Sequence, residues 1–296
     1  MFSLIGYFKF EMEFMQWLYE IGNKFLNVFF WAISQIGGTI AIIAFMCVTY
    51  WIIDKTKGKK ITYAITVSMT FNNLLKMFFS ASRPFEYEGY EHLRKLKDSS
   101  LSDSATGTSF PSGHSQNAGS AFLSLSLYLK KKWIVIVSVI LIILVPLSRL
   151  YLGVHFPKDV ILGLSIGLLT AFLSFKLLQK AQNMGYIFLI SSLIFIPFLF
   201  LKSTSHDYFR SFGLFLGAGV GILFEEKVVN FSTSNISTKN KILRLIIGFS
   251  IIGIIYIGMG LIPGFKDINS LVVLHHFLVS ISLFGLIPLI FKQLKI

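Results

Sequence analysis

The sequence has a single cysteine, Cys47, among its 296 residues. One cysteine excludes an internal disulfide and a cysteine-based metal cluster, so we interpret Cys47, which lies within an apolar stretch, as a packing residue. Charged residues are scarce as well, at 14%, whereas 54% of the residues are hydrophobic. This balance excludes an ordinary soluble domain. The first residues lack a basic segment followed by a small-residue cleavage site, so no cleavable signal peptide is expected.

The sequence contains many long apolar stretches. Nine of them are close to the ~20 residues that a helix needs to cross a bilayer. We therefore predict an all-α fold, a polytopic membrane helical bundle with about nine transmembrane helices. The predicted spans are 26–53, 61–79, 113–129, 133–151, 160–179, 186–201, 211–229, 242–262 and 271–291.

Two domains are predicted along the chain. Residues 1–182 form a membrane-embedded core, and 183–296 add further C-terminal transmembrane helices. Within the core, 1–25 is an interfacial segment, because 8–24 mixes acidic residues with aromatic and apolar ones as an amphipathic interfacial helix does. Gly37-Gly38 is expected to bend the first span. The sequence does not fix an oligomeric state.

The formal net charge of +13 raises the possibility of a nucleic-acid partner. The lysines instead cluster in short loops, as the positive-inside rule expects, so no nucleic acid is predicted and the lipid bilayer is the expected partner. If every span crosses, 15 of the 27 basic residues lie on one side and 11 on the other. The excess predicts a multi-pass protein of the cell membrane whose site and amino terminus face the extracytoplasmic side.

A short polar stretch, residues 148–159, lies between two long apolar runs. Its charged residues are costly in membrane-like sequence unless they do chemistry. Pro157 suits the first position of a new helix. Asp159 then falls in the first turn and can reach back to His155. An Asp-oriented histidine beside Arg149 indicates a nucleophile or base next to an anion clamp.

Two further clusters precede this stretch. Lys76 and Arg83, which is followed by a proline, are seven residues apart and would share one helix face if the helix continues. Ser112 is a natural N-cap, Gly113 allows backbone to approach a ligand, and the free N–H groups there form an anion site with His114 beside it.

Each cluster alone has a structural interpretation: a snorkelling lysine, an ordinary capped helix, or a buried histidine held by an aspartate. Together they supply three cations, two helix starts and two histidines at one membrane face. A phosphate group needs such a set. Neither a carboxylate cluster nor a Cys/His ligand set is visible, so no metal and no cofactor are expected.

The three clusters together resemble the three-part signature of the type 2 phosphatidic acid phosphatase superfamily. The matching segments are Lys76-x6-Arg83-Pro84, Pro111-Ser112-Gly113-His114 and Ser148-Arg149-x5-His155-x3-Asp159. The resemblance covers roughly residues 26–180. It implies that His155 is a nucleophile that forms a phosphohistidine, that Asp159 orients it and that His114 is the general acid. It also implies that the phosphate is held by five residues, Lys76, Arg83, Ser112, Gly113 and Arg149.

The expected function is therefore a metal-independent membrane phosphatase acting on a lipid phosphate or diphosphate. Candidate substrates are phosphatidate, phosphatidylglycerophosphate, undecaprenyl diphosphate and sphingoid phosphates. A transferase would use the same intermediate but pass the phosphoryl group to another alcohol. A lipid or anion transporter would survive loss of the nucleophile better than loss of Arg83. A vanadate-dependent haloperoxidase shares the pocket type by resemblance, but a membrane-embedded chain argues against it.

Two other regions carry charge. Residues 85–110 form either a gate over the headgroup or an ordinary solvated connector. The region after residue 182 has polar residues near span ends, for which structural or interfacial roles are predicted: His206, His275, His276, Glu225 and Glu226.

Overall fold

The computed structural model of the chain describes residues 9–96, 105, 107–262 and 268–296. Part of the 85–110 segment, for which a gate or a connector was predicted, lies outside these ranges, namely 97–104 and 106. Regular structure in the described residues is helical, without strands, which confirms the all-α class. The α-helices are α1 (Lys9–Glu20), α2 (Lys24–Ile36), α3 (Thr39–Val48), α4 (Lys55–Phe78), α5 (Gly113–Leu129), α6 (Lys132–Tyr151), α7 (Pro157–Leu178), α8 (Met184–Ser192), α9 (His206–Phe224), α10 (Thr238–Gly260), α11 (Asn269–Ile281) and α12 (Ile287–Gln293).

Within the described residues, four helices are long and apolar enough to cross a membrane: α6, α7, α10 and the continuous helix Asn269–Gln293. A fifth span results if α2 and the segment Thr39–Ile53 count as one, since they are bent by 52° at the Gly37-Gly38 break. The predicted bend is thus confirmed. The predicted count of nine spans is not confirmed, because other helices are short, as α8 is, or carry many charges, as α4 does.

The chain divides into two compact units. The first comprises Met1–Ile43 and Phe71–Phe175, and the second comprises Ala44–Thr70 and Lys176–Ile296. All eight predicted site residues belong to the first unit. The predicted domain boundary near residue 182 stays a prediction.

Helix α1 contacts the rest of the first unit near both of its ends. Met12 and Met15 pack into a cluster with Leu150, Phe156 and Val160. The buried carboxylate of Glu11 accepts hydrogen bonds from the backbone N–H and the ammonium of Lys158, at 3.1 and 2.9 Å. At the other end, the ammonium of Lys95 donates to the carbonyl oxygens of Leu18 and Tyr19. A helix within residues 8–24 is therefore confirmed, and it rests on the start of α7.

Helices α5 and α7 approach each other closely through glycine. A Cβ atom added to Gly163 or Gly167 of α7 would lie less than 3.0 Å from the backbone carbonyl oxygen of Ser112 or Gln116, respectively. Small residues four positions apart allow two membrane helices to pack backbone against backbone. This packing brings the first turns of α5 and α7 side by side, where two of the predicted clusters begin.

The second unit has α9 packed between α8 and α11. Its buried charges are paired: Glu225 accepts from Lys55 at 3.0 Å and also pairs with Lys59. The carboxylate of Glu226 accepts from the backbone N–H groups of Met184 and Gly185, which open α8. These contacts agree with the structural roles predicted for the two glutamates.

We predict that Gly163→Ala lowers the thermal denaturation temperature of the purified protein, because the added methyl group forces α7 away from the backbone of Ser112. Overpacking of this kind costs about 1–3 kcal/mol. Gly253 of α10 is a matched control, since nothing lies within 4 Å of its added Cβ atom. Gly253→Ala should not lower the denaturation temperature in the same detergent. Equal temperatures for Gly163→Ala and the unmodified protein would contradict the close approach.

Candidate active site

The turn between α6 and α7 carries the third cluster. Gly153 has a φ of 74°, a left-handed conformation that glycine adopts without strain. A Cβ atom at this position would also overlap the carbonyl oxygen of Leu93. The chain can therefore reverse directly after α6 and present His155 ahead of α7. As predicted, Pro157 opens the new helix and Asp159 lies in its first turn.

Asp159 is held by the start of its own helix. Its Oδ2 atom accepts a hydrogen bond of 2.9 Å from the backbone N–H of Phe156, as an acidic residue does in the third helical position. The same oxygen is 3.6 Å from Nδ1 of His155, longer than a hydrogen bond. The hydroxyl of Ser109 lies between them, 2.5 Å from Oδ2 and 3.2 Å from Nδ1. Asp159 thus reaches back towards His155 as predicted, and Ser109 supplies the hydrogen bonds that connect them.

Arg83 and Lys76 do not share a helix. Helix α4 ends at Phe78 and Arg83 precedes the 3-10 helix Pro84–Glu86, so the condition on which a shared helix face was predicted, a helix that continues to Arg83, is not met. Proline disfavours a helical conformation at the residue before it, and the backbone of Arg83 is extended accordingly.

Both side chains instead hold the segment that leads into α5. Lys76 donates from Nζ to the carbonyl oxygen of Thr108 at 2.6 Å, and Arg83 donates from Nε to that of Gly107 at 3.1 Å. Arg83 also donates from Nη1 to the carbonyl oxygen of Val154 at 2.8 Å, and this nitrogen is 3.3 Å from Nε2 of His155. The first and third clusters therefore meet.

The second cluster joins them at the start of α5. Ser112 is the N-cap, as predicted, and its hydroxyl accepts from the backbone N–H of Ser115 at 3.5 Å. The backbone N–H of Ser112 donates to the carbonyl oxygen of Asp159 at 3.0 Å. At Gly113 an added Cβ atom would lie 3.4 Å from Oδ1 of Asn72. The first turns of α5 and α7 are thus connected directly.

His114 and Arg149 lie against the end of α2. A Cβ atom added to Gly37 would be 3.1 Å from the carbonyl oxygen of His114, and the guanidinium of Arg149 donates to the hydroxyl of the buried Ser34. The bend after α2 therefore forms part of the wall of the site.

Three positively charged side chains of the site lie close enough to His155 to affect its protonation. Burial, and then the positive charges of Arg83, Arg149 and Lys76, hold the pKa of His155 well below its usual value. At neutral pH the His155 imidazole is therefore uncharged and carries a lone pair on one ring nitrogen, as a nucleophile requires.

Sequence reasoning missed four polar residues of the site. Ser109 bridges His155 and Asp159, Ser34 binds Arg149, and the amide of Asn72 donates to Oε1 of Gln116 at 2.7 Å. Their common signal is a polar residue within or beside an apolar span, which is costly unless it is hydrogen-bonded. Asn72 lies one helical turn before Lys76, so the sequence alone indicates that the two side chains lie on the same face of the helix.

The described residues contain no group of three or more His, Cys, Asp or Glu side chains that could hold a metal ion. The positive charge at the site comes from lysine and arginine side chains.

Comparison with known families decides the relationship. The model described as PAP2 superfamily matches residues 57–183, and the one described as PAP2 superfamily phosphatase, transmembrane extension, matches residues 209–296. Together the two models match well over half of the chain. The chain belongs to the PAP2 superfamily. The resemblance drawn from the three clusters is thereby confirmed, and this PAP2 protein is an integral membrane protein with several apolar helices.

Individual relatives of this PAP2 protein match more locally. Phosphatidylglycerophosphatase B of Bacillus subtilis is 43% identical over 74 residues, 22% of this chain and 36% of the relative. Undecaprenyl-diphosphatase of Sulfolobus acidocaldarius is 31% identical over 128 residues, 43% of this chain and 58% of the relative. The chain thus covers less than two thirds of either relative. The crystal structure of Aquifex aeolicus LpxE aligns with a TM-score of 0.49 at 27% identity, over 57% of this chain and 96% of that one.

We predict that His155 stays uncharged in the substrate-free protein at about pH 6, because its lowered pKa lets the neutral form persist as the pH falls. An ordinary histidine, with a pKa of about 6.5, would be mostly protonated there. Nuclear magnetic resonance of protein labelled with ¹⁵N-histidine, titrated from neutral to acidic pH, measures this directly. The signal is assigned by its loss in His155→Gln. A protonated imidazole at His155 at that pH would contradict the electrostatic account.

Proposed function

We propose that this protein is a metal-independent membrane phosphatase that hydrolyses a lipid phosphate or diphosphate through a phosphohistidine intermediate. The observation that carries the proposal is the meeting of a guanidinium and an imidazole, with Nη1 of Arg83 3.3 Å from Nε2 of His155, beside the paired starts of α5 and α7. Relatives named phosphatidylglycerophosphatase and undecaprenyl-diphosphatase support substrates of the phosphatidylglycerophosphate or undecaprenyl diphosphate class. Phosphatidate is the third class proposed, from the sequence resemblance alone.

Five residues bind the phosphate in this proposal. Arg83 and Arg149 bind its oxygens with their guanidinium forks, and Lys76 adds a compact positive charge. Ser112 contributes its hydroxyl and Gly113 its backbone N–H at the start of α5, where the helix dipole favours an anion. These donors stabilise the negative charge that develops on the phosphoryl oxygens in the transition state.

The chemistry takes two steps. The lone pair on Nε2 of His155 attacks phosphorus and the phosphorus–oxygen bond to the leaving group breaks. That oxygen takes a proton from His114, whose imidazole is protonated when the negatively charged phosphate is bound beside it. A water molecule then attacks the phosphohistidine and gives its proton to His114. The phosphorus–nitrogen bond breaks, and its electron pair returns to Nε2. Inorganic phosphate leaves, and Asp159 stabilises the positive imidazole between the two steps.

The location proposed for this site is the extracytoplasmic side of the cell membrane, in a chain that crosses about nine times. Helical segments overlap each of the nine predicted spans. The excess of basic residues on the opposite side supports the orientation. The family model that ends at residue 183 supports a phosphatase core over 1–182, followed by additional helices over 183–296.

The exposed face of helix α1 supports the proposal that this helix contacts the bilayer surface. Four large apolar residues lie along its solvent-exposed face and the turn that follows it, Phe10, Phe14, Trp17 and Ile21, and Trp17 is 52% exposed. Aromatic side chains are enriched where protein meets the headgroup region. The opposite face is the one that holds Lys158 through Glu11, so we propose that α1 docks this site onto the membrane interface.

The central test measures inorganic phosphate released by purified protein from a panel of lipid phosphates and diphosphates in the presence of a chelator. We expect release from at least one member, because no metal takes part. His155→Ala should lower release at least about 1,000-fold, since it removes the nucleophile. His206→Ala, a substitution at an exposed histidine of α9, should leave it unchanged.

Three outcomes of this test would count against the proposal. Activity abolished by the chelator and restored by magnesium would contradict metal independence. Unchanged turnover in His155→Ala would end the phosphohistidine mechanism. Release that requires an added alcohol as acceptor, instead of water, would identify a transferase.

Replacing Phe10, Phe14 and Trp17 together by serine should lower kcat/KM for substrate in vesicles, because α1 would no longer hold the site at the interface. A short-chain, water-soluble substrate should be hydrolysed at the unmodified rate, since these side chains face away from the site. The two assays on one protein preparation check this. An equal loss on both substrates would show that α1 is needed for folding alone.

A further inference from the structure

Ser109 lies between two residues of the proposed mechanism, but the two chemical steps give it no role. Its side chain is completely buried between an imidazole and a carboxylate. The hydroxyl lies 2.5 Å from Oδ2 of Asp159 and 3.2 Å from Nδ1 of His155, whereas those two groups are 3.6 Å apart. Every interaction of hydrogen-bond length between the carboxylate and this ring therefore passes through Ser109.

Counting protons assigns the direction of both hydrogen bonds. A carboxylate only accepts, so the single hydroxyl proton of Ser109 points to Asp159. The hydroxyl oxygen is then the acceptor for His155, and Nδ1 must carry a proton. A neutral imidazole protonated on Nδ1 has its lone pair on Nε2, the nitrogen that faces Nη1 of Arg83 at 3.3 Å.

The backbone fixes Ser109 in this place. Its N–H donates to the carbonyl oxygen of Ala81 at 2.8 Å, and the two carbonyl oxygens before it, at Gly107 and Thr108, accept from Arg83 and Lys76. Three hydrogen bonds thus hold the short segment that carries the hydroxyl. A side chain held in this way is pre-organised and loses little conformational entropy when it acts.

We propose that Ser109 is a positioning residue in a hydrogen-bond relay from the Asp159 carboxylate to the His155 imidazole. The relay holds the proton on Nδ1, so that Nε2 is the nucleophile. The inference rests on the proposed function, because it assigns the role of Ser109 within the phosphohistidine step. As Nε2 forms its bond to phosphorus and the ester bond breaks, the imidazole gains positive charge. The hydrogen bond from Nδ1 to Ser109, itself polarised by Asp159, stabilises that charge.

Ser109→Ala tests the relay. We expect kcat to fall on the order of 10- to 100-fold, the usual cost of removing a group that orients a functional histidine, with KM within about twofold. Ser109→Thr, which keeps the hydroxyl, should restore part of the loss. Ser120→Ala is the matched control: this serine of α5 is also completely buried, but its hydroxyl donates to the carbonyl oxygen of Asn117 at 3.2 Å.

A double-mutant cycle separates a relay from a local packing effect. If Ser109 acts through Asp159, the Ser109→Ala and Asp159→Asn costs should not add, and the double variant should be no slower than the slower single variant. Strictly additive costs, or turnover of Ser109→Ala equal to that of the unmodified protein, would overturn the inference.

Two readouts keep the relay distinguishable from the proposed function. Alkaline quenching of the unmodified protein should trap phosphate on His155, and failure to trap any there contradicts the phosphohistidine mechanism itself. Nuclear magnetic resonance of ¹⁵N-histidine in the unmodified protein should show His155 protonated on Nδ1, whether or not Ser109→Ala folds. A proton on Nε2 in the substrate-free protein would overturn the relay while leaving the phosphatase proposal intact.

Discussion

The close contact between the first turns of α5 and α7 is the constraint on which the site depends. The backbone N–H of Ser112 donates to the carbonyl oxygen of Asp159 at 3.0 Å, which is possible only because Gly163 lets the two backbones meet. Both helices begin at this point, so the positive ends of both helix dipoles face the same small volume. Ser112 and Asp159, which are 47 positions apart in sequence, thereby belong to one site for an anion.

The cations of the first cluster complete this arrangement in a way that favours ligand exchange. Arg83 and Lys76 are hydrogen-bonded to carbonyl oxygens of the chain, at Gly107, Val154 and Thr108. These acceptors are neutral, whereas a phosphate oxygen carries negative charge and a phosphate can bind a guanidinium through two parallel hydrogen bonds. An arriving phosphate oxygen would compete well for the same donors. The carbonyl groups therefore keep the side chains in place without offering a charge as strong as that of the ligand.

Sequence alone predicted the parts of this fold that follow from local chemistry. Apolar length predicted the helices, Gly37-Gly38 predicted the bend, and Pro157 and Ser112 predicted where α7 and α5 begin. The relation of Lys76 to Arg83 was predicted only on the condition that the helix continues, because a spacing of seven residues does not say where a helix ends, and α4 ends at Phe78. Ser34 and Asn72 were missed for a different reason: their partners lie 115 and 44 residues away, and only tertiary packing brings them together.

The missed Ser109 follows from a conflict that the spacing of His155 and Asp159 already contained. An acidic residue in the third position of a helix is drawn back to the N–H of the residue that caps it, which here is Phe156. That bond uses the same oxygen, Oδ2, that would have to reach His155, and it leaves the ring nitrogen 3.6 Å away. Capping the helix and orienting the histidine thus compete for one atom. A hydroxyl from another segment resolves the competition, because it can donate to the carboxylate and accept from the imidazole at once.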